Sequence, residues 1–372
     1  MTALRVVRAE GDATTRGRTI GRELGELIER SLSFYHRYFE RRGVASAELQ
    51  DLLTPFLYAA EATFPEYMNV LKGMAEGAMV PVWELFAVNA FEELDPLLTS
   101  EEGQPRFLEQ KEGASPVTRS RTAERCSSFT VTGPGFTLLG HNEHWIEGDR
   151  GNVAVVLDIP DRGRAVASPT VVCCLPAVGM NEKGGTQGIQ SLRASDERQG
   201  VPRVFVSRHA LESIDRMDAV RRTATPTRAG GYGYTMAFPP GDTFTIETTA
   251  TFESLLEGPG PHTNHYLDPR LAELGVEPSE RSLTRYERLL QLLEDRQPDT
   301  PESVMEILAD HHGAPNSICM HPDAEAGDEA SAVLFSMVAD VENGRMWVSG
   351  SNPCTEPYEE IDLTGAVERA GV

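Results

Sequence analysis

Cys126 stands where a polar segment gives way to a predicted strand. Residues 101–124 contain few aliphatic side chains, whereas apolar and polar residues alternate over 129–131 and again after the Gly-Pro-Gly turn at 133–135. This alternation around a turn predicts a β-hairpin. A cysteine at the start of a core strand, behind such a segment, suits a chain that is cut between Arg125 and Cys126. One residue would then carry both a thiol nucleophile and a free α-amine.

The predicted hairpin ends in a polar cluster that contains His141, Asn142, Glu143 and His144. Because a hairpin brings its two ends together, we expect this cluster beside Cys126. A thiol next to imidazole and amide groups suits acyl transfer, and an asparagine amide can donate to an oxyanion. An α-amine has a pKa of about 8 and a thiol one of about 8.5, so the amine can act as a base near neutral pH. The alternative is an unreactive buried cysteine that begins a strand.

Two further histidine clusters occur at 262–265 and 311–312. Capping and turn formation explain any single histidine, although polar clusters at strand ends are also where sites form. Imidazole and carboxylate groups could bind a metal. However, the sequence has no HExxH motif and no CxxC pair, and Cys319 and Cys354 stand apart from other cysteines. The usual spacing of a structural zinc site is therefore missing, and we predict neither a metal nor a cofactor.

Composition excludes several classes of partner. The formal net charge of −23 argues against binding to nucleic acid or to an anionic membrane. No apolar run approaches the roughly 20 residues of a membrane-spanning helix. The first residues lack the apolar core of a signal peptide, and the five cysteines are sparse. We therefore expect a reduced, cytoplasmic protein.

Hydrophobic spacing predicts helices first and grouped strands later. Apolar residues recur every three or four positions from Ile20 to Phe39, which predicts a helix, and further helical stripes follow up to Leu94. Grouped strands with helices between the groups favour an α+β fold over a doubly wound parallel sheet. The predicted strands cover 152–159, 170–178, 234–238, 244–247, 333–338 and 346–348. The predicted later helices include one with Leu211, Ile214 and Val220, one with Leu283, Tyr286, Leu290 and Leu293, and one over 304–310.

Five blocks in the same order resemble the acyl-coenzyme A:6-aminopenicillanic acid acyltransferase family. This family comprises cysteine N-terminal-nucleophile (Ntn) hydrolases, with β-alanyl-dopamine and carcinine hydrolases among its relatives. The blocks are 17–24 (GRTIGREL) with 71–94, 126–129 (CSSF) with 140–142 (GHN), 178–184 (VGMNEKG), 262–265 (HTNH) and 315–319 (PNSIC).

The resemblance implies an Ntn-hydrolase four-layer αββα sandwich with a helical N-terminal pro-region, matured by self-cleavage. We accordingly expect a helical α-chain part over 1–97, a linker over 98–125 that ends at the cleavage site, and a β-chain part over 126–372, all within one integrated domain. By position, Cys126 is the nucleophile, Arg125–Cys126 is the scissile bond, and Asn264 matches the asparagine assigned to the oxyanion hole.

Two positions depart from the family pattern. His144 stands where the family often has the Asp that orients the amine, and Met320 stands where it often has Arg. We expect His144 to hydrogen-bond the amine as a neutral imidazole, and a site without that Arg to be less suited to anionic groups. The candidate catalytic residues are therefore Cys126, Asn264, His144 and Asn142, and the candidate substrate-binding residues are Glu143, His141, His262 and Met320.

Together these features predict a self-processing amidohydrolase or acyltransferase. Its partner would be a small-molecule amide or acyl thioester, such as an N-acyl or β-alanyl amine, which reacts through an acyl-Cys126 intermediate. The mature form would be an α/β-chain heterodimer, with further homo-oligomerisation left open. The alternatives are a catalytically silent binding protein on the same scaffold and a His/Glu metal-dependent hydrolase.

Overall fold

A computed structural model describes residues 4–98, 126–363 and 365. The expected linker, beyond its first residue, and Arg125 lie outside these ranges. The helices in the described part are α1 (Ala13–Arg41), α2 (Ser46–Thr63), α3 (Pro65–Ala78), α4 (Val82–Asn89), α5 (Phe91–Leu98), α6 (Arg203–Leu211), α7 (Arg216–Thr223), α8 (Pro269–Ala272), α9 (Glu280–Arg296) and α10 (Pro301–Leu308). The strands are β1 (Arg5–Gly11), β2 (Ser127–Gly133), β3 (Phe136–Ile146), β4 (Val153–Pro160), β5 (Val166–Val171), β6 (Gly179–Asn181), β7 (Thr186–Leu192), β8 (Gly231–Phe238), β9 (Asp242–Thr248), β10 (Glu253–Glu257), β11 (Gly260–His262), β12 (Ser331–Asp340), β13 (Arg345–Ser349) and β14 (Glu359–Ile361).

The strands form two sheets that face each other. One has eight strands in the order β1-β4-β5-β6-β7-β8-β9-β10, and the other has six in the order β11-β2-β3-β12-β13-β14. Strand β1 runs parallel to β4. Helices α1 and α6 contact the first sheet, whereas α9 and α10 contact the second. The structure therefore confirms the predicted α+β class and the four-layer αββα arrangement with a helical N-terminal region.

Several elements differ from the sequence-based expectation. The first quarter also contains a strand, β1, which the helical interpretation missed. The strand expected over 170–178 lies earlier, at β5, and the helix expected through Leu211 and Val220 is two helices, α6 and α7. In the last two cases a short local pattern was extended across a turn.

The buried face of α9 is also not the predicted one. Leu283 and Leu290 are 39% and 44% exposed, whereas Leu289 and Leu292 are buried. Leu289 and Leu292 join a second hydrophobic core between α10 and the six-stranded sheet. The predicted stripe was wrong because the buried face of α9 also carries polar residues, which hide its periodicity.

Glycines allow α1 and α3 to lie in backbone contact. A Cβ atom at Gly21 would overlap the carbonyl oxygen of Met74, and one at Gly77 would overlap that of Arg18. Gly73 and Gly77 interrupt the apolar pattern of the sequence, yet α3 runs through both of them. These glycines are contact points between the two helices, and α1 in turn packs against the first sheet.

We predict that Gly21→Ala destabilises the protein by about 1–3 kcal/mol or more, because the added methyl group must push the two helices apart. Gly25→Ala is the matched control on the same helix, since its nearest neighbour, the Ala78 Cα, would be 4.0 Å away. At this site we expect a gain of up to about 1 kcal/mol from helix propensity. Urea unfolding measures both, and equal effects at the two positions would contradict the packing explanation.

Candidate active site

The register of β2 and β3 sets the surroundings of Cys126. The two strands pair antiparallel with Ser127 opposite Asn142, so Cys126, the residue before β2, comes opposite Glu143. The Cys126 thiol donates a hydrogen bond to Glu143 Oε1 at 3.1 Å. The expected hairpin is present, and its far end lies beside the cysteine.

Buried hydrogen bonds continue from Glu143 into the space between the sheets. His141 Nε2 lies 3.1 Å from Glu143 Oε2, and His141 Nδ1 lies 2.8 Å from Ser128 Oγ. Ser128 in turn accepts a hydrogen bond from the Gln190 side chain. Donors and acceptors match throughout if Ser128 donates to a neutral His141 and His141 donates to Glu143. Glu143 therefore accepts from both a thiol and an imidazole.

The environment of Cys126 keeps its thiol protonated. Burial is the main cause that raises the pKa of the Cys126 thiol well above its usual value, and the negative charge of Glu143 adds to it. A hydrogen bond from the backbone of His144 opposes this shift in the pKa. Cys126 also has a φ of +88°, in the left-handed region that disfavours residues with a side chain.

Cys126 lines a cavity that is partly open to solvent. Most of its walls are apolar, and Glu92 and Glu143 are the charged residues that line it in the described part of the chain. The apolar lining residues are Val88, Trp145, Pro169, Val171, Cys174, Leu175, Ala177, Val178, Ile189, Val204 and Phe335. The cavity therefore suits a small molecule with apolar parts and a positive charge.

The Glu92 carboxylate faces this cavity and forms no direct ion pair among the described side chains, although the charge of Arg203 is close enough to interact with it. It accepts a hydrogen bond from the Tyr232 hydroxyl. The nearby guanidinium of Arg203 pairs instead with Glu93, at 3.2 Å, and with Glu197. Burial raises the pKa of Glu93 to about 7. Glu92 thus supplies an anionic group that a ligand cation can approach.

A fully buried arginine that the sequence analysis missed connects Asn264 to Cys126. Arg285 Nη1 donates to the Cys126 carbonyl at 2.6 Å and to Ser127 Oγ at 2.7 Å. Its Nη2 donates to Asn264 Oδ1 at 2.7 Å, and Asn264 Nδ2 donates to the Ser191 carbonyl at 3.0 Å. The guanidinium therefore fixes the orientation of the Asn264 amide, with Oδ1 toward Arg285 and Nδ2 away from it. The sequence did contain a signal for this residue, since Arg285 lies in helical register with Leu289 and Leu292 on the buried side of α9.

Asn142 and His144 point to the other face of β3. Asn142 Nδ2 donates to the carbonyls of Leu308, at 2.9 Å, and Ile318, at 3.0 Å. His144 Nε2 lies 3.1 Å from the same Ile318 carbonyl. The expected contact of the His144 imidazole with the Cys126 amine is therefore wrong, and so is a place for the Asn142 amide in the site. Successive side chains of a strand alternate, and Glu143 takes the inner position.

His262 and Met320 also lie away from the cavity. The imidazole of His262 is fully buried and lies 2.8 Å from Glu247 Oε1, while its Nδ1 lies 2.7 Å from the Thr263 carbonyl. Met320 is buried, and its carbonyl accepts from the backbone of Val333. Neither side chain lines the cavity, so the structure does not place either of them where substrate binding there would require it. Of the four predicted substrate-binding residues, Glu143 alone lines the cavity, with His141 directly behind it.

The alternative of a His/Glu metal site would use His141 and Glu143, the residues beside Cys126. One ligand atom each from Cys126, His141 and Glu143 lies within 4.8 Å of the others. Hydrogen bonds already join these three groups, so their proximity has an explanation that requires no ion. In the described ranges, none of the helices combines the length and the apolar character that crossing a bilayer requires.

The fold and the cavity define an Ntn-type sandwich with a cysteine beside its cleft. Residues 132–354, more than half of the chain, match the family model described as acyl-coenzyme A:6-aminopenicillanic acid acyl-transferase. The chain belongs to this family, which confirms the resemblance found in the sequence, and it is an enzyme that acts on amide bonds as a hydrolase or acyltransferase. The matched region begins after Cys126, so the match does not test the role of that residue.

Similar solved structures include penicillin V acylase from Agrobacterium tumefaciens. It shares 15% sequence identity, with a TM-score of 0.44 and coverage of 64% of this chain and 86% of that one. A mutant of conjugated bile acid hydrolase from Clostridium perfringens shares 13% identity, with a TM-score of 0.42 and coverage of 64% and 96%. A second variant of that hydrolase shares 12% identity, with a TM-score of 0.42 and coverage of 64% and 93%.

We predict that His144 makes folding stability depend on pH. Burial is the main cause that lowers the pKa of His144 well below its usual value, and the charge of Arg285 adds to it. Below about pH 6.5 His144 becomes protonated in the unfolded chain but stays neutral in the folded chain. The free energy of unfolding therefore falls by up to about 1.4 kcal/mol per pH unit as the pH decreases. His144→Gln, which keeps a donor for the Ile318 carbonyl, should flatten this dependence in urea unfolding between about pH 7.5 and about pH 5.5.

His312→Gln is the control, because His312 is exposed. Burial also lowers the pKa values of His209 and His265 to about 4, so part of the slope should remain in the His144 variant. An unchanged slope in His144→Gln would show that this imidazole is protonated to the same extent in the folded and unfolded chains.

Proposed function

We propose that this enzyme is a self-processing cysteine amidohydrolase that cleaves small amides carrying a positive charge. The observation that carries the proposal is the Cys126 thiol, which is hydrogen-bonded to Glu143 at the wall of an apolar cavity. In the proposed precursor, 1–97 form the helical part, 98–125 the linker, and 126–372 the part that begins with the nucleophile.

Self-cleavage would proceed through an N→S acyl shift. Glu143 takes the thiol proton, and the sulfur attacks the carbonyl carbon of Arg125. The C–N bond then breaks, the nitrogen of Cys126 gains a proton, and water hydrolyses the resulting thioester. The left-handed φ of Cys126 supports this step, because such a conformation costs about 1–3 kcal/mol in the uncut chain and cleavage removes the constraint.

Turnover would use the same sulfur and the new α-amine. The amine removes the thiol proton, the sulfur attacks the substrate amide, and the leaving amine takes that proton. Water then releases the acid from acyl-Cys126. Asn264 is the proposed oxyanion donor, supported by the hydrogen bond that fixes its Oδ1 on Arg285. Glu143 takes over the amine-orienting role that the sequence had suggested for His144.

The charges of the cavity support a cationic substrate. Two carboxylates, Glu92 and Glu143, line it, and its other described lining residues carry no positive charge. A β-alanyl amine places an ammonium group two carbons from the amide carbonyl. The substituent on its amide nitrogen can contact the apolar walls of the cavity. An anionic acyl group would meet like charge without a compensating cation. We therefore favour hydrolysis of β-alanyl amides over transfer of anionic acyl groups.

We predict that the purified protein contains two fragments, the larger beginning Cys-Ser-Ser-Phe, and that Cys126→Ala abolishes both cleavage and turnover. Alanine removes the sulfur that both reactions require. Intact-mass analysis measures the cleavage, and release of amine from β-alanyl amides measures the turnover. Cys173→Ala, the same change at a buried cysteine away from the cavity, should leave both intact in folded protein.

Different failures of this experiment have different meanings. Full-length wild-type protein with turnover that depends on Cys126 would remove self-processing but keep the nucleophile. Retained turnover in folded Cys126→Ala would remove the mechanism. A chain that is neither cleaved nor active on any of the amides tested would favour the alternative of a catalytically silent binding protein.

We predict that Glu92→Gln raises KM for a β-alanyl amine by about 10–100-fold, because a hydrogen-bonded charge pair contributes about 1.5–3 kcal/mol. The matched control is the propionyl amide of the same amine, which lacks only the ammonium group. Its KM should change little, so the ratio of the two KM values isolates the charge interaction. Equal changes for both substrates would show that Glu92 does not bind the ammonium group.

A further inference from the structure

Four side chains outside the cavity form a compact cluster of nitrogen and sulfur atoms. His311 Nε2 and His321 Nε2 lie 3.0 Å apart, and His321 Nε2 lies 3.2 Å from Cys354 Sγ. Cys319 Sγ lies 3.6 Å from Cys354 Sγ and 3.9 Å from His321 Nε2. One atom from each residue lies within 4.8 Å of all the others.

These separations are close to those of a tetrahedral zinc site. Bonds of about 2.3 Å to sulfur and about 2.0–2.1 Å to nitrogen place two sulfurs roughly 3.8 Å apart, two nitrogens roughly 3.3 Å apart and a mixed pair roughly 3.5 Å apart. Each of the four measured distances differs from its ideal value by about 0.4 Å or less. The cluster therefore needs only small rotations to surround one ion.

We propose that His311, Cys319, His321 and Cys354 bind one Zn²⁺ as a closed structural site. Two thiolates and two imidazoles form the Cys₂His₂ set that zinc takes with four protein ligands and no open position. Asn352 Nδ2 lies 3.4 Å from Cys319 Sγ, so its amide can donate to the thiolate as an outer-shell partner. A zinc ion also resolves the direct approach of the two histidine nitrogens, since each then directs its lone pair at the metal.

The proposed site would brace the sheet that carries the active-site cysteine. His311, Cys319 and His321 lie in the segment between α10 and β12, and Cys354 lies between β13 and β14. The same segment presents the Ile318 carbonyl, which accepts hydrogen bonds on the outer face of β3. The inner face of β3 holds Glu143. The metal would thus fix the loop behind this strand without entering the cavity.

The test is the zinc content of the full-length protein, produced without a histidine tag and measured by elemental analysis after desalting. We expect about one zinc ion per chain, and its loss in the Cys354→Ser and His311→Gln variants. Cys126→Ala is the matched control and should retain the metal. Cobalt exchanged into the wild-type protein should give the visible bands of a tetrahedral site together with thiolate-to-cobalt absorption.

Several results would overturn the proposal. Zinc that is lost with Cys126→Ala and kept in Cys354→Ser would place the ion at the catalytic cysteine. A metal-free wild-type chain that carries a Cys319–Cys354 disulfide, two hydrogens lighter by intact mass, would replace the zinc site by a redox pair. Thiolate-to-cobalt absorption that persists in Cys126→Ala decides the question even if the ligand variants fail to fold, because that variant lacks the catalytic thiol. Failure of the zinc proposal would not bear on the proposed amidase activity, which rests on Cys126 and the cavity.

Discussion

The register between β2 and β3 is the constraint on which the site depends. With Ser127 opposite Asn142, Glu143 points into the cavity and its neighbours point toward α10. A slip of one residue would reverse every side chain of β3, placing Asn142 and His144 beside the thiol and a carboxylate in the apolar layer. Outward hydrogen bonds from both residues to the Ile318 carbonyl help to hold the observed register.

This constraint also explains what the sequence could and could not predict. The hairpin, the long α1 helix and the position of a polar cluster beside Cys126 followed from turn residues and spacing, and the structure contains all three. The choice between Glu143 and His144 did not follow, because both faces of β3 are buried from Thr137 to Ile146. Alternation defines two faces, and only the packing of distant elements decides which one is the site.

Arg285 shows a second limit of sequence reasoning. An arginine on a helix is usually taken as solvent-exposed, yet this one is fully buried and satisfies three groups from two parts of the chain: the Cys126 carbonyl and the Ser127 hydroxyl in one, and the Asn264 amide in the other. A charge removed from water needs such partners. Through these hydrogen bonds, one side chain from α9 connects the start of β2 to the loop after β11. No local pattern contains that information.

The proposed cleavage changes the charge of the group that faces Glu143, the nitrogen of Cys126. Before cleavage the nitrogen of Cys126 is an uncharged amide, and the carboxylate helps to raise the pKa of the thiol. Cleavage would create an amine that is protonated below about pH 8, and its positive charge would offset that of Glu143. The same carboxylate would then hold the ammonium group instead of hindering the thiolate. In the proposed mechanism, the cut therefore supplies the base and also offsets the negative charge of Glu143, which opposes ionisation of the nucleophile.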